Sequence, residues 1–249
     1  MPSPTGAKTL ALLDLLARHP AGLSSTEAAR KSDLTANLVF RILKTFVAMG
    51  YATQRGDDKV YVLSSRLLEL SRPNVGEQSL VVCAMDTLRA LRDETGETVQ
   101  LLIEAGGKAF VLEQVRGTQA LQVSGQVGMR IPLYSCAPGK TILAGWNDPK
   151  REAWFRDRTL QRFTARTLSR RKDLEGDLAE IRIKGYAVDR AEGIAGIHCV
   201  AAAIRDDYAQ PVAAVTVMAP IGRLPESAFA QMGARCMAAA RAIEHRLRL

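Results

Sequence analysis

The stretch Leu34–Leu63, LTANLVFRILKTFVAMGYATQRGDDKVYVL, constrains this chain more than any other, because a helical pattern gives way directly to a short hairpin. Leu34, Val39, Ile42, Leu43 and Phe46 recur at helical spacing as one apolar face, and Gly50 closes the pattern. Upstream, LSSTEAARKS carries Ser24 with Glu27 three residues on. That is the signature of a capping box, in which a hydroxyl and a carboxylate each satisfy a free amide at a helix start. The link SDLT between the two patterns is long enough only for a tight turn. Further upstream, KTLALLDLLARHP places Leu10, Leu13, Leu16 and Ala17 on one face of a first helix that stops at Pro20. Downstream, YATQ and KVYVL read as strands across RGDD, since Gly and Asp supply turn conformations and the flanks are rich in Tyr, Val and Thr. The expected layout is three helices and a hairpin, a helix-turn-helix with a wing.

Such a layout suits the major groove of DNA, which a helix about 10 to 12 Å across fills when a second helix anchors it. Thr35, Ala36, Asn37, Phe40, Arg41 and Lys44 are the residues left facing outward. A guanidinium at Arg41 has the fork geometry for guanine or a phosphate, Asn37 has the amide for adenine, and Lys44 suits the backbone. Arg55 and Lys59 flank the hairpin tip, within reach of phosphates or a minor groove. Residues 1–72 hold ten Lys and Arg against six Asp and Glu, and the whole chain has a net charge of +8 and a pI near 9.6. Positive charge favours an anionic partner, but it equally fits a helical protein-interaction module with a solvated face. Both readings stand on composition alone.

A chain of 249 residues, 47% of them hydrophobic, suits two domains with ample core. Its pattern changes near residue 73. SSRLLELSR reads as a short linker helix and PNVGEQ breaks it, dividing the chain into 1–63, a linker over 64–76, and 77–249. From Ser79 the pattern alternates: a helix through Leu80, Ala84, Leu88 and Leu91 to Gly96, then strands TVQLLIEA and KAFVLEQV joined at Gly106-Gly107, then a strand ALQVS. A helix from Lys172 to Lys184 closed by Gly185, strands IHCVAAAI and VAAVTVMA around RDDYAQP, and a terminal helix from Glu226 complete it.

Chemistry-bearing patterns are few. Cys83, Cys136, Cys199 and Cys236 are widely spaced and the three histidines complete no ligand spacing, so no metal or cofactor is expected. APGKT lacks the first glycine of a phosphate loop, because Tyr134 stands there. His198 and Cys199 are neighbours on a strand and point to opposite faces, so they share no proton. The basic run through Arg151, Arg156, Arg158, Arg162, Arg166, Arg170, Arg171 and Lys172 reads as a solvated surface. No catalytic constellation emerges and the chain is expected not to be an enzyme. MPSPTGAKTL is not a secretion signal, and no run approaches the roughly 18 apolar residues of a membrane span, so a cytoplasmic protein with no membrane partner is expected.

In order and spacing, the winged segment followed by VGMRIPLYSCAPGKTILA, GYAVDRAEGIAGIHCVAAAI and PVAAVTVMAP resembles the IclR family of bacterial transcriptional regulators over nearly the whole chain. The resemblance implies an α+β protein: a winged helix-turn-helix domain, a linker helix, and a GAF/PAS-like α/β effector-binding domain with a mainly antiparallel sheet. It further implies dimers or tetramers on a pseudo-palindromic DNA operator, controlling catabolic genes as repressor or activator in response to a small organic or aromatic acid. Carried over by spacing, the effector pocket would use Leu121 and Val123 on a strand, Ala137 and Pro138 before the helix at Gly139, and Asp189, Cys199, Thr216 and Met218. The unpaired amides of a helix start make the turn at Ala137–Lys140 a seat for a carboxylate. Three departures matter. Thr216 and Met218 stand where members that bind small keto-acids tend to have two hydroxyl residues, Pro138 stands where glycine is frequent, and Asn37-Leu38 replaces a frequent Ser-Thr. The first two favour a more apolar effector, and the third means the operator is not inherited from relatives. The alternative is a small-molecule sensor or enzyme whose N-terminal helices serve protein contacts.

Overall fold

The computed structural model describes residues 3–55, 59–64, 66–67, 74–75, 78–156 and 158–247, and divides into two compact units, Met1–Arg72 and Pro73–Leu249.

In the first unit, α1 (Pro4–Ala17), α2 (Ser25–Ser32) and α3 (Ala36–Ala48) surround one core. The capping box is formed: Glu27 N donates to Ser24 Oγ at 3.3 Å, and Ser24 N donates to Glu27 Oε2 at 2.9 Å. Asp33 ends α2 in the left-handed region at φ 52, a conformation that short acidic side chains tolerate, and so turns the chain sharply into α3. Val39, Ile42, Leu43 and Phe46 are buried as the spacing predicts, and Leu34 is partly buried against them. On α1 the buried stripe differs from expectation. Leu12 and Leu16 are buried with Leu13 and Leu15 beside them, while Leu10 is 64% exposed and Ala17 is exposed. The crowded leucines offer two overlapping stripes, and packing against α2 and α3 selects between them.

β1 (Ala52–Arg55) and β2 (Val60–Leu63) pair antiparallel, with Ala52 opposite Leu63 and Arg55 opposite Val60. Leu23 adds a third rung that the sequence does not announce, exchanging backbone bonds of 3.0 and 2.8 Å with Tyr61. Gly22 permits it: at φ 92, any Cβ there would lie 2.4 Å from Val60 Cγ1. The hairpin tip at 56–58, and most of the linker helix expected over 64–76, lie outside the described residues.

The second unit opens with a small antiparallel pair, β3 (Asn74–Val75) and β4 (Gln78–Ser79), followed by α4 (Leu80–Thr95). Its sheet comprises β5 (Thr98–Ala105), β6 (Lys108–Val115), β7 (Arg130–Pro132), β8 (Ala187–Arg190), β9 (Ile197–Arg205) and β10 (Pro211–Pro220). The order is β7-β6-β5-β10-β9-β8 and every pairing is antiparallel. Between β7 and β8 lie α5 (Ala137–Gly145), α6 (Asp148–Phe155) and α7 (Arg171–Lys184), and α8 (Phe229–Leu247) ends the chain. One sheet face packs Val99, Leu101, Val200, Ala202, Val215 and Val217 against α4 and α8. The other packs Leu102, Val111, Cys199, Ala201 and Ala214 against α5, α6 and α7. Both faces of β9 and β10 are therefore covered, which is why they read as continuous apolar runs rather than alternating ones.

The expected strand ALQVS is not a strand. The third member of the meander is β7, paired to β6 with Lys108 opposite Pro132. Residues around 121–125 are held instead by side chains: Arg223 Nη2 donates to Leu121 O at 2.8 Å, and Gly125 N donates to Gln114 Oε1 at 3.0 Å. Alternation over so few residues cannot tell a ladder from a loop tied down at its carbonyls and amides.

Candidate functional site

On α3 the buried face fixes what the opposite face offers. Thr35, Ala36, Asn37, Phe40, Arg41 and Lys44 are all exposed, at the spacing that lines up one side of a helix. Thr35 is the N-cap and makes no side-chain capping bond, so its hydroxyl is not spent on the helix. Phe40 is 47% exposed, and Lys44 Nζ lies 5.7 Å from its ring centroid. Arg55 at the end of β1 and Lys59 in the turn just before β2 are exposed, Lys59 at φ 51. Among the described residues, none of Arg41, Lys44, Arg55 and Lys59 is ion-paired with a carboxylate. A convex, uncompensated cationic helix face beside a hairpin is the outcome.

In the second unit, strand register assembles most of the expected effector residues on the sheet face under α5. Asp189, Cys199, Met218 and Thr98 form one row across β8, β9, β10 and β5. Ala201, Thr216, Gln100 and Gln114 form the next row. Asp189, Cys199 and Thr216 are buried, and Met218 packs partly buried against the core of that face. Thr216 Oγ1 donates to Val200 O at 3.0 Å, so its proton is committed and the oxygen is left as an acceptor. The sequence also missed the amide pair beside it: Gln100 Nε2 donates to Gln114 Oε1 at 2.7 Å. Glutamines on a strand look like solvent-face residues until register sets them under a covering segment.

Ala137, Pro138 and Gly139 are the first turn of α5 rather than a loop ahead of it, and all three are buried. Gly139 is required there, because a Cβ would lie 2.3 Å from Leu133 O and 2.5 Å from Leu133 Cα. Pro138 has no amide hydrogen, Lys140 N is bonded to Cys136 O at 3.0 Å and the Gly139 amide is directed at the Cys136 sulfur, which leaves the amide of Ala137 as the uncommitted donor of this helix start. Leu121 does not join the group: it is 69% exposed. Val123 is half-buried on the same stretch. Solvent-open clefts between α7 and β8, along α4 and α8, and beside Trp154 are lined by other residues.

Titratable groups crowd behind this helix start. Burial, followed by the charge of Glu192, pushes the Asp189 carboxyl up to about 7, against the pull of backbone amides and Lys140. One of those amides, Glu192 N, donates to Asp189 Oδ1 at 2.6 Å. Burial also pushes the Cys136 thiol up to about 12 and Cys199 well above its usual range, so both stay protonated and unreactive. Lys140 has no solvent exposure and is bonded to Glu192 at 2.7 and 2.8 Å and ion-paired with Asp177 at 2.9 Å. Burial opposes its charge, but the two carboxylates outweigh burial and hold its pKa above the ordinary lysine value. The lysine of APGKT is thus a buried tie between α5, α7 and the turn after β8. Sequence could not show this, because its partners lie far along the chain.

His198 and Cys199 do face apart: His198 Nδ1 lies 2.8 Å from Leu224 O and its ring meets Phe229 edge-on, while Cys199 sits in the opposite core. Half of the basic run is ion-paired at the surface, Arg151 with Asp148 at 2.5 Å, Arg166 with Glu226 at 3.3 Å, Arg170 with Asp173 at 2.6 Å and Arg171 with Glu175 at 2.8 Å. Among the described residues, no cluster of His, Cys, Asp and Glu is arranged to hold a metal ion, and no helix is long and apolar enough to cross a membrane.

Comparison with known proteins places this geometry. Residues 7–56 match the IclR helix-turn-helix domain, and residues 74–245 match the bacterial transcriptional regulator IclR C-terminal domain. The chain is 27% identical to the transcriptional repressor IclR of Escherichia coli strain K12 over 94% of its own length and 86% of that protein. It is 30% identical to the HTH-type transcriptional regulator BhcR of Paracoccus denitrificans over 94% of its own length and 84% of that protein. The crystal structure of the Thermotoga maritima IclR superposes with a TM-score of 0.79 at 28% identity, covering 98% of this chain and 99% of that one. These relatives are regulators of transcription rather than enzymes.

Proposed function

The chain belongs to the IclR family of bacterial transcriptional regulators, with a helix-turn-helix unit and an effector-binding unit, and from that premise we propose that it binds a pseudo-palindromic operator as a homo-oligomer and senses a small, partly apolar organic acid. The observation that carries the DNA half is the exposed row Asn37, Phe40, Arg41 and Lys44 on α3, backed by a fully buried opposite face. In this reading α3 enters the major groove, Arg41 and Asn37 meet base edges, Thr35, Ala36 and Phe40 meet the groove wall, and Lys44, Arg55 and Lys59 meet phosphates. Titrating the promoter of the protein's own gene at several salt concentrations tests it. Arg41→Ala is expected to weaken binding by about 1 to 3 kcal/mol and relax preference at one base pair, whereas Lys59→Ala is expected to lower the salt slope by about 1. Unchanged affinity in both variants would sink the assignment of this face.

The effector half rests on the row Asp189, Cys199 and Met218 beside the α5 start. A ligand carboxylate would take the amide of Ala137 and compete with the Cys136 sulfur for that of Gly139, with Pro138 closing one side. Its apolar part would lie on Met218 and Cys199, with half-buried Val123 nearby and Leu121 left out of the site. Thr216 would accept a hydrogen bond from a ligand hydroxyl rather than donate one, since its own proton is bonded to Val200 O. The thioether of Met218 favours an aromatic or similarly flat ring over a two-carbon keto-acid.

A further inference from the structure

A cleft of about 270 Å³ opens beside Trp154, apart from the row of candidate effector residues. Tyr134 and Trp154 are buried at its base, Phe163 is 43% exposed at its edge, and Lys108 and Arg158 are exposed on its rim. The polar tips of the two deep aromatics are already satisfied: Tyr134 Oη donates to Gln161 O at 2.8 Å and Trp154 Nε1 donates to Gly107 O at 3.2 Å. What they present to the cleft is therefore ring surface. Tyr134 and Phe163 stack with centroids 6.1 Å apart, and the Arg158 guanidinium lies 5.1 Å from the Trp154 centroid. The Arg158 guanidinium lies close over Gly107, where a Cβ would come within 2.1 Å of its Nη2.

The charge balance is one-sided. Among the described residues, no acidic one lines the cleft. Among the described residues neither Lys108 nor Arg158 is ion-paired, although Arg151, Arg166, Arg170 and Arg171 of the same basic run all are. Two cations on the rim, one of them over the Trp154 face, are more than an apolar ligand needs, and three rings are more than an inorganic anion needs. The volume lies just under the range of drug-sized pockets, which suits a single ring. We propose that this cleft is a second small-molecule site, for a planar aromatic monocarboxylate whose ring lies against Trp154 and Phe163 and whose carboxylate meets Arg158 and Lys108. This inference rests neither on the operator reading nor on the site at Met218.

Because the chain has only two tryptophans, Trp146→Phe leaves Trp154 as the sole indole reporter. Titration of that full-length protein with benzoate is expected to give a saturable fluorescence change with a Kd of roughly 1 mM or tighter. Arg158→Gln is expected to weaken it about tenfold, Lys108→Gln to weaken it less, and Met218→Ser to leave it unchanged. Benzyl alcohol and inorganic phosphate, each lacking half of the recognised chemistry, are expected to give no saturable change over the same range. No saturation with benzoate, an unaltered curve in Arg158→Gln, or an equal response to benzyl alcohol or phosphate would each overturn the proposal. So would loss of the signal in Met218→Ser, which would move the binding to the sheet face.

Discussion

Asp189 is the residue whose chemistry and position are most at odds. A carboxyl pushed up to about 7 by burial and by Glu192 is held by the fold beside a helix start that suits an anion. Its folded pKa lies above its unfolded one, so the native state binds the extra proton between about pH 4 and 7, and stability falls as pH rises through that window. Above about pH 7 the penalty is constant, on the order of 4 kcal/mol. Asp189→Asn keeps the acceptor for Glu192 N and removes the charge. Denaturant melts at pH 4.5 and 8, values chosen to bracket roughly that window, are expected to show the variant gaining on the wild type at the higher pH; parallel shifts at both would refute the assignment. Met218→Ser probes the neighbouring rung. A thermal-shift screen of keto-acids and aromatic acids is expected to stabilise the wild type with an aromatic acid, and the variant less. Stabilisation by pyruvate or glyoxylate alone would show that Met218 does not set ligand size.

At the scale of elements, local signals were legible and long-range ones were not. β5 and β6 stand where TVQLLIEA and KAFVLEQV predict, because Gly106 and Gly107, at φ 64 and 78, form a hairpin turn that few other residues allow. The closure of α7 by Gly185 at φ 80 was readable for the same reason. β7 and β8 carry no such signal, since three- and four-residue strands owe their existence to partners rather than to pattern. The site divides similarly. Exposure of Arg41 and Lys44 follows from helical spacing, whereas the burial of Lys140, the commitment of Thr216 to Val200 O and the exposure of Leu121 depend on tertiary neighbours. The capping box is a local signal with a measurable weight. Ser24→Ala removes the acceptor for Glu27 N and is expected to cost α2 about 1 kcal/mol. Hydrogen exchange across 25–32 of the full chain is then expected to speed up about fivefold, with 171–184 as the unaffected control. Equal exchange in variant and wild type would mean that packing on Ala28, not the cap, holds the helix.

For the whole molecule, the number of recognition helices sets the assembly. In the proposed reading one α3 meets a few base pairs, and a single such contact does not compete with the non-specific sites of a genome. Two copies related by a two-fold axis square the selectivity without any new chemistry, and they require half-sites separated by whole turns of the duplex, about 10 base pairs or a multiple. The 27.1 kDa chain is accordingly expected to sediment as a dimer or larger at micromolar concentration. The sharper test varies the operator. Inserting about 5 base pairs between half-sites turns one of them to the opposite side of the duplex, and inserting about 10 restores the phase. Affinity is expected to fall with the first insertion and to recover partly with the second, and Arg41→Ala is expected to flatten the difference because each copy loses the same base contact. Equal affinity for all three spacings, or a species of one chain only with and without operator, would mean that each copy reads DNA alone.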